Sequence, residues 1–345
     1  MTNPLVLKSA PPRADARGPR SGVLIAVCAA VLALAVLLWP LAWNNEFALT
    51  IGILIAINLI GAVSLHLIVR TGHVSLAHAG FMGLGGYATA LSLTRFHLVF
   101  PFDLLAGAVV PALVALVIGP LLLRLSGKYF VLVTFMVGEV IRLTFTQWSS
   151  LTGGANGLFG IPVPFRWLDS LLHIYYFTLL VSALCVGLVV RIMTSELGRA
   201  IDSIREAQRV SECSGVPAIR MKVTMFAIAS ALVGIAGSMQ VYFLHYIDPS
   251  AFTIVQSLNF LIMNVIGGME HLAGAVIGTV FMVVLPQALQ EYVNVQQIIF
   301  GLILVGVMIG MPGGLMDVVK RLRPARTSHH ARSAAHTASA SGERR

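Results

Sequence analysis

Charge is what this chain has least of. Asp, Glu, Lys and Arg make up 11% of its 345 residues, where a soluble domain carries about 25%. That deficit excludes an ordinary water-soluble globule. Cysteine is scarce too. Cys28 and Cys185 lie in apolar runs and Cys213 in a polar loop, so no disulfide framework is predicted. The chain has no Gly-x-x-x-x-Gly-Lys-Ser/Thr run to cradle nucleotide phosphates. It has no zinc-protease, hydrolase or kinase signature either. No catalytic residue and no metal-ligand set is assigned, and nothing in the sequence supports an enzyme. His329, His330 and His336 fall in a low-complexity stretch and read as solvated.

Apolar length stands in the place of charge. Hydrophobic residues are 57% of the chain, gathered in runs near the ~20 residues that cross a bilayer. Ten spans are predicted, at 22–42, 47–69, 75–93, 103–123, 129–146, 171–193, 223–243, 252–269, 272–290 and 296–312, within a range of eight to eleven. The shortest are rich in glycine and are candidates for broken or re-entrant helices. The predicted fold class is all-α, a polytopic transmembrane helical bundle with both termini cytoplasmic. Residues 1–21 form a basic cytoplasmic segment, 22–316 a membrane domain with a polar loop at 194–222, and 317–345 a disordered cytoplasmic tail. The run at 22–42 is longer than the 7–15 residues of a signal-peptide core, so it reads as a retained anchor.

The basic residues support this layout. Of the 23 Lys and Arg residues, only Arg95, Arg142 and Arg166 fall on or near the outer side when the N-terminus is inside. Such asymmetry follows the positive-inside rule. The net charge of +9 is therefore a topology signal facing anionic lipid, and no nucleic-acid partner is implied.

Four segments carry further information. Thr194 to Lys222 holds nine charged side chains between two apolar runs. Leu197, Ile201, Ile204, Ala207, Val210 and Cys213 recur at helical spacing and predict one apolar face. Arg199, Asp202, Arg205, Glu206, Arg209 and Glu212 lie opposite, with Glu206 and Arg209 spaced to pair. Thr194 or Ser195 is placed to cap the start, and Gly215 with Pro217 to stop the helix. Two readings compete: a surface for a soluble partner, or a helix lying flat on anionic lipid. The mixed signs of charge favour the partner.

Gly72 to Ala90 has glycines at 72, 80, 83, 85 and 86, with Ser75, His78 and Tyr87 at membrane depth. Small residues permit either tight helix packing or broken helices along a pathway. Glu139 and Arg142 stand one helical turn apart within an apolar run. They are either a structural pair or a polar site in a pathway. The loop that follows contains Thr152 and Asn156 and exposes backbone N–H groups. Finally, Ser230-x-x-x-Gly234-x-x-x-Ser238, Gly274-x-x-x-Gly278 and Gly306-x-x-x-Gly310 suit close helix contact, within the chain or between two permeases.

In this order the segments resemble the permease subunits of branched-chain amino acid ABC transporters. The resemblance runs from about Asn58 to Met316. Ser75-Leu76-Ala77-His78-Ala79-Gly80-Phe81 with Leu84-Gly85-Gly86-Tyr87 is similar to one family run, although Ala77 and Gly86 depart from it. Gly138-Glu139-Val140-Ile141-Arg142 with Leu151-Thr152-Gly153-Gly154 is similar to the second-permease type of the heterodimeric pair, with Gln147 where Asn is expected. Gly198-Arg199-Ala200, Ile204-Arg205-Glu206 and Gly215 resemble the coupling segment, with Val210 and Cys213 replacing alanines. Ile266-Gly267-Gly268 and Leu272-x-Gly274-Ala275-x-x-Gly278 complete the set.

The resemblance implies a subunit of an ATP-driven importer in a bacterial inner membrane. Its expected partners are a homologous second permease, two cytoplasmic ATPases and an extracytoplasmic substrate-binding protein. ATP and Mg would be bound by the ATPases, and this chain holds no cofactor. Arg199, Asp202, Arg205, Glu206, Arg209, Glu212 and Gly215 become ATPase-coupling residues. Ser75, His78, Tyr87, Glu139, Arg142, Thr152 and Asn156 become candidates for the translocation pathway. A urea or short-amide importer shares these motifs. A stand-alone channel or ion-coupled carrier, with Glu139 as proton site, is a rival from another class.

Overall fold

The computed structural model describes residues 46–165, 168, 170–290, 296–310 and 314. The expectations for 1–21, 22–42, Cys28, Arg166 and 317–345, including the tail histidines and the basic residues from Lys320, lie outside the described residues. The chain divides between Leu49 and Thr50 into two units. Of the first unit only 46–49 are described, as the opening of the first helix. The second unit carries the remaining described elements.

Eleven helices occur among the described residues: α1 Glu46–Arg70, α2 His78–Thr94, α3 Phe102–Leu122, α4 Lys128–Gln147, α5 Ser149–Thr152, α6 Leu171–Thr194, α7 Glu196–Cys213, α8 Ala218–Leu244, α9 Ile254–Gly267, α10 Leu272–Ala288 and α11 Gln296–Gly310. Two short strands, β1 Leu158–Phe159 and β2 Tyr246–Ile247, pair antiparallel. Helices α1, α3, α4, α6 and α8 are long and apolar enough to cross a membrane. The chain is an all-α membrane bundle, as its runs of apolar residues require: in lipid each backbone polar group must be satisfied within its own segment.

The predicted spans 252–269 and 272–290 show the breakage expected of short glycine-rich runs. They form α9 and α10, of 14 and 17 residues, or about 21 and 26 Å. Neither matches the ~30 Å hydrocarbon core. The two are bent against each other by 118° and pass as one broken unit. The reason lies in the turn between them. Gly268 has a φ of +106°, and a methyl on Gly267 or Gly274 would overlap the backbone of the other.

Small residues hold the centre. A methyl on Gly85 of α2 would strike the Gly234 backbone of α8, and one on Gly234 would strike Gly107 and Pro111 of α3. Thr89 of α2 and Ser238 of α8 share a hydrogen bond of 2.7 Å. The Ser230–Gly234–Ser238 stripe is therefore spent on packing inside this chain. Gly278 likewise meets the backbone of Met263 in α9. No atom within reach meets a methyl built on Gly306 among the described residues. Leu113, Val117 and Leu121 of α3 and Leu180 and Leu184 of α6 stay exposed, as surfaces facing lipid do.

Two elements begin part-way along α1. His78, the first residue of α2, bonds Ser64 at 3.1 Å, which places the start of α2 about 9 Å back from the end of α1. Along α9, Gln256 donates to Asn58 at 3.1 Å and Asn264 meets His66 at 3.2 Å. So α9 runs beside only the second half of α1. The stretch leading into it reaches that depth without an α-helix, through the 3-10 turn Pro249–Phe252. There Asp248 accepts the Ala251 N–H at 3.1 Å. The loops at 71–73 and 123–127 meet α7 at one end of the unit.

Candidate functional site

The polar loop folds as the helix α7. Its capping differs from expectation. Ser195 holds the N-cap position, but its hydroxyl donates back to the Ile192 carbonyl at 2.6 Å. Thr194 likewise donates to Val190 at 3.0 Å. Glu196 in the first turn suits the positive helix end. The predicted stop is present: Gly215 has a φ of +85°, and the Val216 N–H returns to the Ser211 carbonyl at 3.1 Å.

One continuous apolar face is not present. Ala207 departs from helical geometry at φ −152°, ψ 80°, and breaks α7 in two. Gly198, Ile201 and Ile204 before the break and Ser211 after it are buried. Leu197, Ala207, Val210 and Cys213 are exposed, Val210 by 66%. The break also separates Glu206 from Arg209, which form no ion pair among the described residues, whereas Arg199 lies 3.8 Å from Glu196. Asp202 turns the other way and pairs with Arg70 at the end of α1. Arg199, Arg205, Glu206, Arg209, Glu212 and Gly215 remain exposed.

The second group centres on α4. Arg142 Nε donates to both Glu139 oxygens, at 3.0 and 3.1 Å. The two side chains are 24% and 34% exposed. Phe130, Thr134, Gly138 and Phe145 of α4 face the bundle. Leu132, Met136, Val140 and Leu143 lie open. The pair thus stands at the edge of an uncovered face, in the second half of a helix of spanning length. Glu139 borders a small hollow where the starts of α2 and α9 meet. The Ala79 N–H donates to Ser257 Oγ at 2.9 Å, and the Leu76 N–H to Thr134 Oγ1 at 3.2 Å.

The other pathway candidates are engaged in ties. Ser75 is buried and accepts the Ala77 N–H at 3.3 Å. His78 is fully buried on Ser64. Tyr87 packs on Phe145, with ring centroids 4.3 Å apart, and its hydroxyl is unpaired among the described residues. Thr152 donates to the Phe145 and Trp148 carbonyls at 2.6 and 2.8 Å. Asn156 is exposed in a 3-10 turn. The structure brings Glu139 and Arg142 together and leaves Asn156 open, and it does not gather the seven into one cavity.

Several polar groups carry no signal of their partners in the sequence. Asp103 is fully buried and accepts from the Tyr242 hydroxyl. Its own signal was available: an acidic residue just inside an apolar run. Arg70–Asp202 and His66–Asn264 join residues far apart in sequence, and no local pattern announces them. Among the described residues no group of three His, Cys, Asp or Glu side chains is placed to hold a metal.

The family described as "Branched-chain amino acid transport system / permease component" matches residues 47–312. Relatives include the high-affinity branched-chain amino acid transport system permease protein LivM of Salmonella typhimurium and that of Escherichia coli. Each is 26% identical over 318 residues, covering 84% of this chain and 74% of the relative. A probable branched-chain amino acid transport permease protein LivH of Methanocaldococcus jannaschii is 21% identical over 220 residues, covering 61% of this chain and 69% of the relative. No solved structure matches significantly. With most of its length matched, spanning helices α1, α3, α4, α6 and α8 and the polar α7 included, this chain belongs to the branched-chain amino acid transport system permease family.

Proposed function

We propose that the chain is the second-type permease subunit of an ATP-driven importer for branched-chain amino acids in a bacterial inner membrane. One observation carries the coupling part of this reading. Helix α7 is the charged helix at one end of the unit. It leaves Arg199, Arg205, Glu206, Arg209 and Glu212 exposed while it is tied to α1 through Asp202. A helix held from below and open above suits a soluble partner. In this reading the partner is an ATPase subunit that binds ATP and Mg and delivers motion through α7.

The pathway follows from α4. An ion pair on an open helix face at membrane depth is poorly served by hydrocarbon. Glu139 and Arg142 would instead border a polar passage shared with a homologous second permease. A binding protein on the outer side would deliver the solute there. The reading keeps both termini inside, as the basic residues favour, with eight spans when α9 and α10 form a re-entrant pair.

Uptake of labelled leucine and of urea by a strain lacking this chain, together with purification of its complex, tests the proposal. The expected result is lost leucine uptake and two co-purifying ATPases. Lost urea uptake with leucine uptake intact would move the substrate to urea or short amides. ATP-independent transport with no ATPase in the complex would leave the ion-coupled carrier, with Glu139 as its proton site.

A further inference from the structure

A cleft lies at the α7 end. It has a volume of about 500 Å³ and sits between the 71–73 loop, the 123–127 loop, α7 and the start of α8. Its charged lining is of one sign. Arg124, Arg205 and Lys222 line it together with His73, and no carboxylate does. None of the three cations forms an ion pair among the described residues.

Lys222 is the telling member. It is only 6% exposed, and its ammonium makes a single hydrogen bond, 2.9 Å to the neutral Gln208 Oε1. An ammonium carries three donors, and burying a charge without a paired counter-charge is costly. Asp202 is held by Arg70, and the charge of Glu212 reaches Lys222 only from beyond Gln208, whose Nε2 it accepts at 2.9 Å, with no direct ion pair among the described residues.

Two helix starts add to the same field. Gly127 lines the cleft and opens α4, a 20-residue helix with no side-chain cap and no acid in its first turn. Ile219 and Lys222 line the cleft from the start of α8, which also lacks a cap and an acid in its first turn. Positive helix ends favour anions. Here they meet Arg and Lys, an arrangement unfavourable until an anion enters. Gly127, with φ +57° and no atom within reach of an added methyl, leaves the α4 start open.

We propose that this cleft binds a phosphate-bearing anion, coordinated by Arg124, Arg205 and the buried Lys222. Two sources share that chemistry: the headgroup of an anionic phospholipid, and a free phosphate. Exposed Leu121 and Tyr129 flank the cleft on the outer faces of α3 and α4, where acyl chains would lie, and basic pockets between membrane helices suit anionic headgroups. The anion site rests on the cleft alone. Only the inner-leaflet source rests on the topology proposed above. Because Arg205 belongs to α7, an occupant would brace that helix against the bundle.

Native mass spectrometry of the detergent-purified assembled complex tests this. Phosphatidylglycerol, phosphatidylcholine and inorganic phosphate are added in separate arms, to wild type, Lys222→Gln and Arg124→Gln. Wild type is expected to retain one phosphatidylglycerol or phosphate and to discriminate against phosphatidylcholine. Each variant should bind about fivefold more weakly, the effect of removing one cation near such a surface. Retention of phosphatidylglycerol alone assigns the lipid, and retention of inorganic phosphate assigns a soluble anion. Exposed Arg124 can be replaced without opening the core, so its variant decides the matter if Lys222→Gln misfolds. Equal affinity of wild type and Arg124→Gln for the retained anion, or retention of neither phosphatidylglycerol nor inorganic phosphate above phosphatidylcholine, overturns the proposal. Leucine uptake is not the readout, so failure here leaves the transport reading standing.

Discussion

Arg70, the last residue of α1, holds Asp202 of α7, and this is the ion pair that joins the polar helix to a spanning helix. With Arg70 and Asp202 side chains 20% and 40% exposed, its worth is at most about 1 kcal/mol in water. Asp202→Asn should therefore leave the protein inserted and its thermal midpoint in detergent nearly unchanged. It should lower solute-stimulated ATP hydrolysis by the reconstituted complex severalfold. Unchanged stimulation would show that α7 is positioned by Ile201 and Ile204 alone.

The close approach of α2 and α8 gives a contrast between glycines. Gly85→Val would drive side-chain atoms into the Gly234 backbone, and overpacking costs about 1–3 kcal/mol or more. Gly187→Ala on α6 meets no atom within 4 Å and should be neutral or slightly stabilising. Yield and thermal midpoint of the purified protein compare the two.

Glu139→Gln leaves Arg142 without its carboxylate on an open face of α4. Leucine uptake should fall at least about tenfold, in line with an uncompensated charge at depth. The exchanged pair Glu139→Arg with Arg142→Glu separates two roles. Restored expression without restored uptake indicates a pathway role. Restoration of both indicates a structural pair.

Cys213 is exposed and Cys185 buried. In a Cys28→Ser background, a membrane-impermeant maleimide should label Cys213 in inside-out vesicles and not in right-side-out ones. If ATPases dock on α7 as proposed, assembly with them should slow the labelling. Labelling from the outside would invert the proposed topology.

His73 titrates below its usual value, because burial disfavours its charged form and Lys222 adds repulsion. The unfolded chain therefore takes up a proton that the folded one resists. The stability this contributes is present above pH 6.5 and is lost as pH falls through the lowered value. His73→Gln should flatten the acid side of the thermal-midpoint profile below pH 6.5. A profile unchanged from wild type would assign the acid sensitivity to other groups.

Spanning helices were legible in the sequence because lipid demands long apolar runs, and Glu139 with Arg142 because helical spacing pairs them. The stop at Gly215 was legible from residue type. The features that escaped share a cause. The glycine content announced a break between α9 and α10, but its 118° angle depends on Gly267 meeting Gly274, and the break at Ala207 follows no residue that forbids a helix. Periodicity therefore carried Val210 and Cys213 onto a face they do not share with Ile201. Ser75, His78 and Thr152 looked like polar groups awaiting a solute because their partners, Ala77, Ser64 and Phe145, are backbone groups or distant side chains.

The break at Ala207 has a mechanical consequence. The half of α7 before it is seated by Ile201, Ile204 and Asp202, and the half after it projects Val210 outward. A load on the projecting half then acts as a torque about Ala207. In the proposed coupling, the force reaching α1 would depend on the stiffness of that one residue as well as on the partner's grip. Stiffening the break would lengthen the stroke delivered to the bundle without altering a single contact at the surface.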